Sequence, residues 1–131
     1  MGTEQEQALH WAAELGQIEE VRALLSEGVD KDCVGGWRAQ TPLCEAAVNG
    51  HVDVAQLLIA AGADINKGDI NGRTPMHWAA VRGHEKVAQL LIKAGADINK
   101  EDNWERTPLH WAVQWDINGT SYLQEIMPSF F

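Results

Sequence analysis

Five histidines, two cysteines and an excess of carboxylates are the residues of this chain that could do chemistry, and their spacing decides whether they can. A metal site or an acid–base pair needs several such groups to converge on one point. His10, His77 and His110 each follow Leu or Met and precede Trp, whereas His51 and His84 each follow a glycine. His77 and His110 are 33 residues apart, as are His51 and His84. A fixed interval distributes the histidines along the chain, so they read as structural. Among the acids, Glu19, Glu20, Asp53 and Glu85 fall near expected helix starts, and Asp64 and Asp97 close segments. Cys33 and Cys44 match no zinc or redox spacing and read as reduced, structural thiols. There is no Gly-rich phosphate loop, no nucleophile elbow and no Cys-x-x-Cys. No catalytic, cofactor or metal site is expected, and the chain reads as a non-enzyme.

The six tryptophans are more informative, because they exceed what a small core requires. Trp11, Trp78 and Trp111 each precede an alanine, and Glu45 stands in the equivalent place of the remaining segment. Large aromatics are mostly buried, so these three are expected to be half-buried spacers, with Trp78 and Trp111 also candidates for contact. Trp37 and Trp104 fall in polar stretches rich in turn residues, with Ile70 in the intervening one. An indole there has little core to enter, and exposed tryptophan is a frequent binding hot spot. The expected protein-binding set is Trp37, Ile70, Trp104, Trp78, Trp111, Trp115, Arg82, Glu14 and Glu45.

The elements that position these residues follow from the punctuation. Thr74 is suited to cap a helix whose first residue is Pro75, where a missing N–H costs nothing. Met76, Ala79 and Ala80 supply a thin apolar face, and Gly83 ends the helix. His84 and Glu85 open a second helix with Val87, Ala88, Leu90 and Leu91 on its buried stripe, and Gly95 stops it. Neither helix is long enough to be stable alone, so neighbouring pairs must stack. Thr41, Thr74 and Thr107 share the 33-residue interval, as do Asp64 and Asp97, while Gly16 precedes Gly50 by 34.

The 33-residue period with "TPLCEAA", "TPMHWAA" and "TPLHWAV", the two "GADIN" closings and both Gly-His pairs resemble the ankyrin-repeat family. The resemblance implies an all-α solenoid of stacked helix-turn-helix units with projecting hairpin-like loops. It forms a single domain over 1–131, with units at about 5–36, 37–69, 70–102 and 103–127, the last irregular. It also implies that the histidine after Thr-Pro-Leu ties the turn by hydrogen bonds, that loops and first helices line a concave protein-binding face, and that Asn66 and Asn99 are candidate sites of asparaginyl hydroxylation. A loop-stabilising hydrogen bond is the alternative role of these asparagines.

Cys44 replaces the family's histidine, so its unit is expected to lose that bond. Residues 31–40 hold one residue more than their counterparts and should bulge. Ala39 and Glu105 stand where Gly72 would allow a positive φ, at a cost of roughly 1 kcal/mol for a side chain. The stretch 116–131 departs most and ends in Phe130 and Phe131, which leaves a self-assembly role or a variant of a longer repeat protein as the second reading.

A net charge of −9 disfavours nucleic acid and anionic lipid and favours a protein partner with a basic surface. The opening "MGTEQEQ" is acidic where a signal peptide is basic, and Glu6 stands where a myristoylation signal takes Ser or Thr. A monomer in the cytoplasm or nucleus is expected.

Overall fold

The computed structural model describes residues 3–115, with side chains to residue 111. The expectations for the C-terminal stretch 116–131 lie outside the described residues, as does the side chain of Trp115. Seven helices occur among the described residues: α1 (Glu4–Leu15), α2 (Ile18–Ser26), α3 (Pro42–Asn49), α4 (Val52–Ala60), α5 (Pro75–Arg82), α6 (Glu85–Lys93) and α7 (Pro108–Trp115). No strand is present there; Gly35 and Gln40 form an isolated antiparallel bridge.

The first helices begin where threonine hydroxyls satisfy orphan amides. Thr3, Thr41 and Thr74 accept from the N–H of Glu6, Cys44 and His77, and Pro42 and Pro75 follow their caps. The pairs then stack in chain order: α1 on α3, α3 on α5 and α5 on α7 form one layer, and α2 on α4 and α4 on α6 the other. The apolar stripe that closes between the layers includes Leu9, Leu43, Met76, Val54, Leu58, Val87 and Leu91, all 1% exposed or less. This is the core the periodicity places there, with Leu90 only half-buried.

The Gly-His pairs explain how one unit engages the next. His51 and His84 donate from Nε2 to the carbonyls of Glu14 (2.8 Å) and Val48 (3.0 Å), near the C-terminal ends of the preceding first helices. For the rings to reach them, Gly16 and Gly50 must lack side chains: a Cβ would meet His51 Nδ1 at 2.7 Å and His84 Nδ1 at 2.6 Å. The same two glycines end their helices at φ 75° and 74°, the left-handed region where glycine carries no penalty.

The other histidines hold loops. His77 Nδ1 accepts from the Thr74 N–H (3.1 Å), which leaves Nε2–H to donate to Arg106 O at 2.7 Å in the next loop. His10 Nε2 donates to Cys33 O at 2.8 Å. Burial lowers the pKa of both rings, so the neutral form does this work at neutral pH. Cys44 does not abandon the bond altogether: its thiol lies 3.8 Å from Lys67 O, a long and weak substitute.

Candidate protein-binding surface

The loops before α3, α5 and α7 share a frame. Gly35 N bonds Gln40 O, Asp69 N bonds Arg73 O, and Asp102 N bonds Arg106 O. The first of these closures encloses one more residue than the other two, which is where the additional residue of 31–40 is taken up. Successive loops are joined as well: Ile70 N donates to Arg38 O at 2.8 Å, and Asn103 N to Asn71 O at 2.9 Å. At their tips stand Trp37, Ile70 and Trp104, which are 81%, 60% and 53% exposed. Ala39 and Glu105 adopt φ 53° and 62°, as their register with Gly72 requires.

Beneath the tips, the two later loops are braced by aspartates. Asp69 Oδ1 accepts the N–H of Asn71 and Arg73, and Oδ2 accepts the Trp78 indole N–H at 3.1 Å. Asp102 repeats this with Trp104, Arg106 and the Trp111 indole at 3.0 Å. Burial pushes the Asp102 carboxyl up, but bonds from the Arg106 N–H, the Trp111 indole and the Trp104 N–H outweigh it and hold the carboxyl below its ordinary range. Guanidinium groups fill the spaces between the rings. Arg38 lies over Trp37 (4.8 Å) and Trp78 (5.4 Å), and Arg73 over Trp111 (4.2 Å), Trp104 (5.2 Å) and Trp78 (5.8 Å). Arg73 Nε also pairs with Asp102 Oδ2 at 3.6 Å.

Units one and two lack this bracing. Gly35 replaces the aspartate, because a Cβ there would meet the His10 ring at 2.8 Å. Glu45 replaces the tryptophan, so no indole N–H seeks an acceptor. What remains is an open groove of about 370 Å³ whose lining includes Trp11, Trp37, Glu14, Glu45, Arg38 and Gln40. Burial and the nearby Glu14 carboxylate push the Glu45 carboxyl up to about 7, against the pull of Arg38.

Models of the ankyrin repeat match residues 6–35, and models of multiple ankyrin repeats match 43–92 and 76–121. The chain belongs to the ankyrin-repeat family. Over 58 residues it is 45% identical to Ankyrin repeat domain-containing protein 49 of Homo sapiens, covering 44% of this chain and 24% of that protein. A 64-residue stretch is 42% identical to Palmitoyltransferase Hip14 of Drosophila melanogaster, covering 49% of this chain and 10% of the relative. Another of 64 residues is 47% identical to Mitochondrial disaggregase of Homo sapiens, covering 47% and 9%. The chain thus matches a quarter or less of the length of these relatives, and only through the repeats.

Within this ankyrin domain the expected contact residues separate. Trp37, Ile70 and Trp104 are exposed on linked loops, Trp37 and Ile70 in one register and Trp104 one residue further on, with Arg82 and Glu14 exposed and Glu45 and Trp111 half-buried. Trp78 is different: it is 6% exposed, wedged between guanidiniums and bonded to Asp69, so it braces the stack and offers a partner almost no surface. Trp11, expected to be half-buried, is 63% exposed. Leu15, not Glu14, occupies the register of Arg82, and it is exposed too.

Arg38, Arg73 and Arg106 lie over rings along these loops, and the Glu14 and Glu45 carboxylates line the groove. Asp69, Asp102 and these arginines were the functional residues that sequence reasoning passed over. Their signal is an aspartate nine residues before each bonded tryptophan. Asn66 Oδ1 accepts from the Asp97 N–H at 2.8 Å, which is the loop-stabilising role, and Asn99 is exposed. Burial raises the thiols of Cys33 to about 11 and Cys44 to about 12, so neither is a ready nucleophile.

Proposed function

We propose that this ankyrin domain is a non-enzymatic protein-interaction module. It takes a protein with a basic surface on the concave face formed by its loops and first helices, and works as a monomer in the cytoplasm or nucleus. The observation that carries this reading is the row of Trp37, Ile70 and Trp104, large apolar side chains held out to solvent on loops bonded to one another. Maintaining such exposure has no folding benefit, and a rigid frame limits the entropy lost on binding.

The test begins with partner identification by pull-down and mass spectrometry, followed by calorimetric titration of wild type and of Trp37→Ala/Trp104→Ala. The double variant should weaken the complex by about 2 kcal/mol while leaving thermal stability nearly unchanged. Added salt should slow association, as for a basic partner steered by a net charge of −9. Unchanged affinity with a large loss of stability would make these tryptophans structural and refute the assignment.

A further inference from the structure

Guanidinium groups lie over the rings of the later units, and the groove between the first two units carries one arginine, Arg38, against two carboxylates, Glu14 and Glu45. Arg73, in the loop before α5, reaches forward over Trp104 and Trp111 of the next unit. Arg38, in the loop before α3, reaches forward over Trp78 and also lines the groove beside Glu45. Arg38 covers Trp37 from within its own loop, yet Trp37 stays 81% exposed.

This groove has the composition of the spaces filled in the later units. Trp11 and Trp37 contribute aromatic lining, with Arg38 already over the Trp37 ring, and Glu14 and Glu45 supply the carboxylates that Asp102 provides for Arg73. Gln40 occupies the frame position of Arg73 and Arg106, 6% exposed in the groove wall, and its amide Nε2 has no hydrogen-bond partner. A buried donor without an acceptor is costly, and the backbone carbonyl of a bound segment would satisfy it. Two like charges close to one another are also relieved by an added cation.

We infer that the groove between the first two units is a subsite for an arginine side chain of the protein partner, stacked on Trp37 and Trp11 and neutralising Glu14 and Glu45. Arginine fits better than lysine because a planar guanidinium stacks on indoles and forks onto carboxylates, as Arg73 does within the chain. The inference rests on the interaction-module reading and specifies what that module recognises.

The test uses the full chain, ¹⁵N-labelled, with N-acetyl-arginine amide as probe and the isosteric, uncharged citrulline derivative as control. The arginine probe should shift the Trp11 and Trp37 indole N–H resonances saturably, with the citrulline probe about fivefold weaker or worse. Glu45→Gln should weaken the arginine probe several-fold. Because Glu45 titrates near neutrality beside Glu14, Arg38 and His10, the wild type should bind the probe more tightly at about pH 8 than at about pH 6. Absence of saturable shifts at those two indoles, or equal affinity for citrulline, overturns the subsite. The two readings fail separately: a partner that loses affinity with Trp104→Ala but binds Trp11→Ala/Glu45→Gln at full strength refutes the arginine groove and leaves the interaction module standing.

Discussion

Trp11 and Trp78 occupy the same place in their units, each following a histidine and preceding two alanines, yet one is exposed and the other enclosed. The difference lies in what surrounds them. Trp78 has Asp69 to accept its indole proton and Arg38 and Arg73 on its faces. Among the described residues Trp11 has no such set, and its neighbours in the groove include the Glu14 and Glu45 carboxylates. The later units therefore use tryptophan as a brace, whereas the first two leave it free. In a repeat protein, equal register gives equal backbone and leaves the side chain's role to the neighbouring loop.

Both ends share one core, and that is where the largest effects fall. Leu58→Ala and Leu91→Ala should each cost about 2 to 5 kcal/mol in urea unfolding, as fully buried leucines do. A loss below about half a kcal/mol at either would break the register on which the comparison stands.

The brace itself comes next. Asp102→Ala removes the acceptor of two loop amides and the Trp111 indole and leaves Arg73 without its carboxylate. It should cost about 2 to 3 kcal/mol, since buried donors lose a charged partner. A change within about half a kcal/mol would mean the ladder is incidental.

The open end should respond to pH instead. Glu45, facing Glu14, Arg38 and His10, has its pKa raised from 4.5 to about 7, so the folded state holds the proton more tightly than the unfolded chain does. Stability is then lost as pH rises through that interval. Glu45→Gln should be more stable than wild type above about pH 7, by about 1 kcal/mol after allowance for solvent screening, with the gain vanishing below about pH 4.5. A uniform difference at all pH values would contradict the assignment.

The smallest effect concerns the loops common to both ends. Glu105→Gly relieves a side chain at φ 62°, for a gain of a few tenths of a kcal/mol up to about 1. A loss of stability would show that the Glu105 side chain contributes more than its backbone strain costs.

The helices, their caps and the buried leucines were legible because period and punctuation are local: Thr-Pro starts, Gly stops and an apolar stripe determine them. That exposed residues stand on each loop was legible for the same reason, although only Trp37 and Ile70 share a register and Trp104 stands one residue further on, at the place of Arg38 and Asn71. The division of the tryptophans was not. It depends on an aspartate nine residues upstream and on arginines from adjacent loops, contacts that arise only after stacking. Hydrophobicity alone made Trp11, Trp78 and Trp111 alike. The groove was hidden similarly, since Glu14 and Glu45 lie far apart in sequence and meet only across α1 and α3.

The most direct test of that division is urea unfolding of Trp11→Ala and Trp78→Ala side by side. The account predicts a loss of about 3 kcal/mol or more for Trp78→Ala, which empties a packed and bonded site. For Trp11→Ala it predicts a change within about half a kcal/mol, as at an exposed position. Equal losses in the two variants would contradict it.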